Sequence, residues 1–91
     1  MKITKLLWTR DNIGHIAKHN IIPEEVEDLC FRDEPRIKKG RMKTYNILGQ
    51  TLSGRYLFEV IALRRKGVAY VVTARDMDNK EKKLYRKLVG G

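Results

Sequence analysis

Three segments rich in β-branched and aromatic residues follow one another in the second half of this 91-residue chain, with only short turns between them. The segments cover residues 44–50, 56–64 and 68–75, and Ser53-Gly54 and Lys66-Gly67 are the turn signals that separate them. Because connections of this length are too short for a crossover, the sequence predicts three consecutive antiparallel strands.

Helical patterns lie on both sides of these strands. Residues 3–8 read as a first short strand, and Thr9 is a suitable N-cap for a helix that continues through His19. Pro23 begins a second helix, since a proline at the first helical position loses no hydrogen bond.

The last element is a helix from about Asp78, where Glu81 three residues later resembles a capping box. Residues 36–39 are a candidate edge strand. The predicted fold is therefore α+β, in the order β-α-α-β-β-β-α, with an antiparallel sheet packed by helices in one domain over residues 1–91.

Charge is distributed unevenly along the chain. Residues 1–35 carry five basic and seven acidic side chains, a net charge of −2, whereas residues 36–91 carry fifteen basic and four acidic ones, a net charge of +11. A basic face of this kind favours a polyanion as partner, because neutralised phosphates release counterions. Solubility alone is the alternative explanation.

The sequence provides little for metal or disulfide chemistry. Cys30 is the single cysteine, so no intrachain disulfide can form. His15 and His19 have the i, i+4 spacing of a metal site, but position 16 is isoleucine and the glutamate of H-E-x-x-H is missing. With neither a signal peptide nor a membrane-spanning run, we expect a cytoplasmic protein without cofactor, metal or membrane association.

Several motifs are distributed over nearly the whole chain. Residues 8–21 read WTRDNIGHIAKHNI, and they are followed by PEEVE at 23–27, LGQT at 48–51, GRYL at 54–57, TARDM at 73–77 and EKKLY at 81–85. In this order the motifs resemble those of one known family, the BrnT-like toxins of bacterial type II toxin–antitoxin pairs, whose N-terminal run is W-x-x-x-N-I-x-H-I-x-x-H-x-[IV].

The resemblance implies a RelE-like fold and ribonuclease activity that inhibits translation and growth. It also implies neutralisation by a BrnA-like ribbon-helix-helix antitoxin, and it is compatible with action at the ribosome and with a dimer inside the toxin–antitoxin complex.

Metal-free RNA cleavage needs groups that remove the 2′-hydroxyl proton, offset transition-state charge and protonate the leaving 5′-oxygen. In RelE-like toxins, basic residues and a tyrosine often serve these roles. The candidate catalytic residues are Arg75, Tyr85, His19 and His15. The candidate RNA- and phosphate-binding residues are Arg64, Arg55, Lys82 and Arg86.

Each candidate also has a structural interpretation. Arg75 ends a predicted strand and has a planar fork suited to phosphate, but an ion pair with Asp76 or Glu59 is the alternative. Tyr85 would stack on a base beside Lys82, or it would pack with its hydroxyl at the rim. The two histidines would act as acid or base, or they would hold the first helix to the sheet.

Glu59 interrupts an apolar strand, and an unpaired buried carboxylate is costly. We therefore expect it to face solvent or to pair with a cation. It is also a candidate general base, but a structural role as the partner of an arginine or lysine is favoured. A turn at Arg65-Lys66 would place Tyr56 opposite Arg75 and Phe58 opposite Thr73, on the face away from Glu59.

Two non-catalytic functions remain open from the sequence. One is a diverged module that only binds nucleic acid or antitoxin, which the lack of an unmistakable acid–base pair favours. The other is a purely protein-binding domain whose basic face holds an acidic segment of its partner.

Overall fold

The computed structural model describes residues 2–31 and 36–90, which form three helices and a five-stranded sheet in an α+β arrangement. In chain order the elements are β1 (Lys5–Leu7), α1 (Arg10–Ala17), α2 (Pro23–Phe31), β2 (Arg36–Lys39), β3 (Thr44–Gln50), β4 (Tyr56–Arg65), β5 (Val68–Asp76) and α3 (Asn79–Gly90). None of these three helices combines the length and apolar character needed to cross a membrane. The α+β class is confirmed, and the suggested edge strand at residues 36–39 is present as β2.

The sheet is mixed, so the expectation of a purely antiparallel sheet is wrong. Its strand order is β1-β5-β4-β3-β2, and β2 to β5 pair as antiparallel neighbours. β1 pairs in parallel with β5, with Lys5 opposite Val68 and Leu7 opposite Tyr70. Turn signals predict pairing only between strands that follow one another along the chain, whereas β1 pairs with β5, which is distant in sequence.

Local capping chemistry agrees closely with the sequence. The Thr9 hydroxyl accepts a hydrogen bond from the Asn12 backbone N–H (3.2 Å), and the Asn12 side chain accepts one from the Thr9 N–H (2.7 Å). α1 ends at Ala17, two residues before the predicted His19, and the chain then turns through Asn20 in the left-handed region at φ 59°. α2 begins at Pro23 as predicted.

The core lies between one face of the sheet and the helices α1 and α2. Fully buried side chains from both sides of this interface include Ile16, Val26, Leu29, Ile47, Leu57 and Ile61. Each such side chain stabilises the fold by about 1.5–3 kcal/mol relative to exposure. Asn12 is buried as well, and its amide donates to the carbonyls of Leu7 (2.9 Å) and Val71 (3.1 Å), which ties α1 to the β1–β5 pair.

The pairing of β4 with β5 differs from the predicted register, by two residues over Leu57–Val60 and at Arg65, and by one residue over Ile61–Leu63. Arg65 pairs with Val68, so Lys66 and Gly67 form the turn, and Gly67 takes the positive φ of 76° that a glycine accommodates. The two register shifts each leave one extra residue, Arg64 in β4 and Val72 in β5. The predicted face assignments in β4 are nevertheless confirmed, because side chains alternate along the strand and the buried Glu59 and Ile61 lie on the face opposite to Tyr56 and Phe58.

Candidate functional site

One face of the sheet is only partly covered, and we call it the open face. Along β4, Leu57, Glu59 and Ile61 are buried in the core. Tyr56, which precedes Leu57, and Phe58, which follows it, are half-buried on the opposite side. Since side chains alternate along a strand, the open face is the one that turns away from α1 and α2. Phe58 has Leu48 opposite it on β3 and Arg75 opposite it on β5, not the predicted Thr73.

α3 lies against the open face through aromatic and basic side chains. The ring of Tyr85 meets the ring of Tyr56 edge to face, with centroids 5.9 Å apart. The Lys82 ammonium also lies 5.9 Å from the centre of the Tyr56 ring. Tyr56, Phe58 and Tyr85 together form what we call the aromatic patch, and all three are partly exposed.

Arg75 borders this patch and is held by a carboxylate. Its guanidinium carbon lies 4.3 Å from the centre of the Phe58 ring. Its two terminal nitrogens each donate to one oxygen of Glu81, both at 2.8 Å, and these hydrogen bonds raise the pKa of Arg75. Arg75 is thus ion-paired, but its partner is Glu81 and not Asp76 or Glu59, the two candidates considered from sequence.

The structure therefore brings Arg75, Lys82 and Tyr85 into one region. Arg75 stacks on Phe58, while Lys82 and Tyr85 contact Tyr56 two positions away on the same face of β4. This arrangement combines positive charge with exposed aromatic faces, which is the combination that single-stranded nucleic acids require.

Arg55 has a different environment from the one a ligand-binding arginine needs. Its Nε and Nη2 donate to Asp76 at 2.7 and 3.2 Å, and Nη2 also donates to the His19 carbonyl at 3.0 Å. Nη1 donates to the Asn20 carbonyl at 2.6 Å and to Glu25. The guanidinium group thus joins the end of α1, the start of α2 and the end of β5, which makes it a structural clamp.

The histidines lie along the β5 edge of the open face. His15 Nε2 is 2.9 Å from the Thr73 hydroxyl, and the His15 and His19 rings meet edge to face at 5.9 Å. The hydrogen bond from Arg55 lowers the pKa of Asp76, and the charges of Lys82 and His19 add to this effect. Asp76 thus lies within electrostatic reach of Lys82 on α3 and of His19, two residues after the end of α1.

Two further candidates lie away from the aromatic patch. Arg64 is at the opposite end of β4, roughly 25 Å along the strand from Tyr56, and its guanidinium carbon is 5.1 Å from the Tyr70 ring centre. Arg86 is exposed on α3. Both remain surface cations of the basic half of the chain.

Sequence reasoning missed two basic residues of the open face. Arg36 stands opposite Leu48, which in turn stands opposite Phe58, so an arginine lies at each end of this row across the sheet. Lys38 stands opposite Asn46 in the next row. The signal was the alternation in residues 36–39, RIKK, where the half-buried Ile37 points to the core.

The environment of Glu59 is not the one that the sequence suggested. It is fully buried on the core face, and one carboxyl oxygen lies 3.3 Å from the Cys30 sulfur while the other has no hydrogen-bond partner among the described residues. Burial raises the pKa of Glu59 well above its usual range. Burial also raises the pKa of the Cys30 thiol. The expected arginine or lysine partner is absent from the contacts of the described residues, and Glu59 has no access to the open face.

Within residues 2–31 and 36–90, no group of three or more His, Cys, Asp or Glu side chains is arranged to hold a metal ion. Comparison of the chain with family models, with curated proteins and with solved structures found no match. The chemistry of this site therefore has to be inferred from its own geometry, together with the motif resemblance.

Proposed function

We propose that this protein is a metal-independent endoribonuclease of the BrnT toxin type, with a RelE-like fold, and that it binds and cuts RNA on the open face. The observation that carries the proposal is the convergence of Arg75, Lys82 and Tyr85 on the aromatic patch. Cations offset the phosphate charge while exposed rings stack on bases, and the motifs shared with BrnT-like toxins agree with this use.

The reaction is a transesterification within the RNA chain. The 2′-oxygen gives up its proton and attacks the adjacent phosphorus, the bond to the 5′-oxygen breaks, and that oxygen takes up a proton. The products are a 2′,3′-cyclic phosphate and a free 5′-hydroxyl. Arg75 and Lys82 would stabilise the extra negative charge on the phosphoryl oxygens, and the Tyr85 hydroxyl or the His15–His19 pair would transfer protons.

The proposal includes a protein partner. A BrnA-like antitoxin that neutralises the enzyme would cover the same cations, and we expect its contacting segment to carry acidic side chains. A neighbouring reading frame that encodes a ribbon-helix-helix protein would support this pairing.

The test compares cleavage by matched variants. Purified protein is incubated with RNA in excess chelator, and in parallel each variant is expressed inducibly and total RNA is inspected. We expect Arg75→Ala and Lys82→Ala to lower cleavage by about 10²-fold or more, because each removes transition-state stabilisation. Lys83→Ala removes the same charge from an exposed neighbouring position and should leave cleavage unchanged.

Intact RNA with wild-type protein, together with harmless expression, would refute the proposal. If Lys83→Ala reduces cleavage as much as Lys82→Ala does, the cleavage site does not lie at the aromatic patch. Thermal denaturation of each variant distinguishes lost chemistry from lost folding.

One observation favours a second function, a non-catalytic module that binds nucleic acid or antitoxin. Both terminal nitrogens of Arg75 are already engaged by Glu81, so this arginine does not present a free fork to a phosphate. A binder of this kind would leave RNA whole, and Arg75→Ala would only reduce the salt dependence of its binding.

A further inference from the structure

The contact between Arg75 and Glu81 has the geometry of an arginine bound to an anionic ligand. Two parallel hydrogen bonds of 2.8 Å join the fork of the guanidinium to the two carboxylate oxygens. The same fork binds two oxygens of a phosphate in the same bidentate manner. Glu81 thus occupies the position that an RNA phosphate would take at Arg75.

The pair is accessible from solvent. The Arg75 side chain is 37% exposed and the Glu81 side chain 18% exposed, so an incoming anion can reach the guanidinium without opening the core. Ion pairs at such partly exposed positions contribute little net stability, about 0.2–1 kcal/mol in typical cases, so a phosphate can compete with the carboxylate.

Glu81 belongs to α3, which lies on the surface of the domain and is held there by partly exposed side chains. Among Asn79–Gly90, all of which the structure describes, no residue is fully buried. The Glu81 carboxylate also accepts a hydrogen bond from the Asp78 N–H at 2.9 Å, while the Glu81 N–H donates to the Asp78 side chain at 2.8 Å. This reciprocal cap keeps the Glu81 carboxylate beside Arg75 while α3 remains folded.

We propose that Glu81 is a built-in competitor for the phosphate site of Arg75, so that the open face is partly masked by its own helix until RNA displaces the carboxylate. The inference rests on the proposed function, since it assumes that the open face binds RNA. It adds a regulatory role for Glu81, a residue that the sequence presents only as part of the α3 cap and of the EKKLY motif. Any partner that draws Glu81 away from Arg75 would raise the affinity for RNA.

The experiment measures binding of a short 2′-O-methyl oligoribonucleotide, which cannot be cleaved because its 2′-oxygen is blocked. Fluorescence anisotropy over a range of salt concentrations gives the affinity and its salt slope. Glu81→Gln keeps an oxygen that can accept from the Asp78 N–H, but it removes the charge that holds Arg75. Glu24→Gln, at an exposed position of α2, is the matched control for loss of one negative charge.

We expect Glu81→Gln to bind about 2- to 5-fold more tightly than wild type, with a salt slope steeper by about 0.7 for one additional phosphate contact on a single strand. The gain should disappear in Arg75→Ala/Glu81→Gln, and Arg75→Ala alone should cost less affinity than it does in the Glu81→Gln background. Circular dichroism checks the folding of each variant. Glu81→Ala is a second neutral variant at this position, and it keeps the backbone N–H that donates to the Asp78 side chain.

An unchanged or weaker affinity of Glu81→Gln overturns the inference, and so does a gain that Glu24→Gln matches or that survives removal of Arg75. The proposed function fails by a different readout. Wild-type protein that binds the blocked oligonucleotide but leaves ordinary RNA whole would refute catalysis and leave the masking intact.

Discussion

The buried carboxyl of Glu59 makes the stability of this domain depend on pH in a direction opposite to that of a surface carboxylate. Glu59 is fully buried, and among the residues that the structure describes its only hydrogen-bond contact is the Cys30 sulfur, so burial raises its pKa above the unfolded value near 4.5. The folded state therefore keeps a proton that the unfolded chain releases. The stability linked to this proton is complete below pH 4.5 and is lost as the pH rises towards the folded-state pKa.

The magnitude follows from this difference of one proton. For each pH unit above about 4.5, the free energy of unfolding falls by about 1.4 kcal/mol for as long as the folded carboxyl stays protonated. Two pH units over which the folded carboxyl stays protonated amount to roughly 3 kcal/mol, or roughly 10–20 °C in Tm for a domain of this size. The free thiol of Cys30 has a raised pKa with an unfolded value of 9.0, so it does not titrate in this interval.

Glu59→Gln supplies the comparison, because the amide has nearly the same shape and stays neutral at every pH. Denaturant unfolding followed by circular dichroism at pH 5, 6 and 7 should give a wild-type curve that falls relative to the variant by about 1.4 kcal/mol per pH unit. Glu24→Gln controls for removal of an exposed carboxylate. Parallel curves for wild type and Glu59→Gln would refute the reasoning.

Three further predictions concern the helices and their packing. Arg55→Lys should lower the free energy of unfolding by about 1–2 kcal/mol in thermal melts, since an ammonium cannot replace the guanidinium fork that joins α1, α2 and β5. The control is Arg65→Lys at an exposed position, which should stay within about 0.5 kcal/mol of wild type. Gly49→Ala should cost about 1–3 kcal/mol because its Cβ would lie 2.8 Å from Leu29 Cγ. Gly14→Ala, with nothing within 4 Å of the new Cβ, should instead stabilise α1 by about 0.5–1 kcal/mol. A Gly49→Ala variant that melts no lower than wild type, or a Gly14→Ala variant that melts below it, would contradict this account.

Features that depend on neighbouring residues were predictable from the sequence. Thr9 caps α1, Pro23 starts α2, and Asp78 caps α3 with Glu81, because each of these interactions spans only a few residues. The antiparallel run of β3 to β5 followed in the same way from its turns. The register of β4 with β5 did not, since the positive φ of Gly67 decides which two residues form the turn.

Partners that are distant in sequence could not be read from the residues alone. The pairing of Arg75 with Glu81 in place of Asp76 depends on how α3 folds back over the sheet. The burial of Glu59 depends on the helix α2 that covers it, and the clamp formed by Arg55 depends on three elements meeting at one point. A list of cations from sequence therefore mixes those that are free to bind a ligand with those that hold the fold together.

The parallel pairing of β1 with β5 also has a consequence for how the protein is made. Thr4 donates to the Gly67 carbonyl, a contact that joins residues 63 positions apart. While the chain emerges from the ribosome, β1 has no strand to pair with until β5 has been synthesised, and contacts of such long range form slowly. Since β5 also carries Arg75, and α3 with Lys82 and Tyr85 follows it, the nascent chain cannot complete the candidate site before these last two elements have been synthesised.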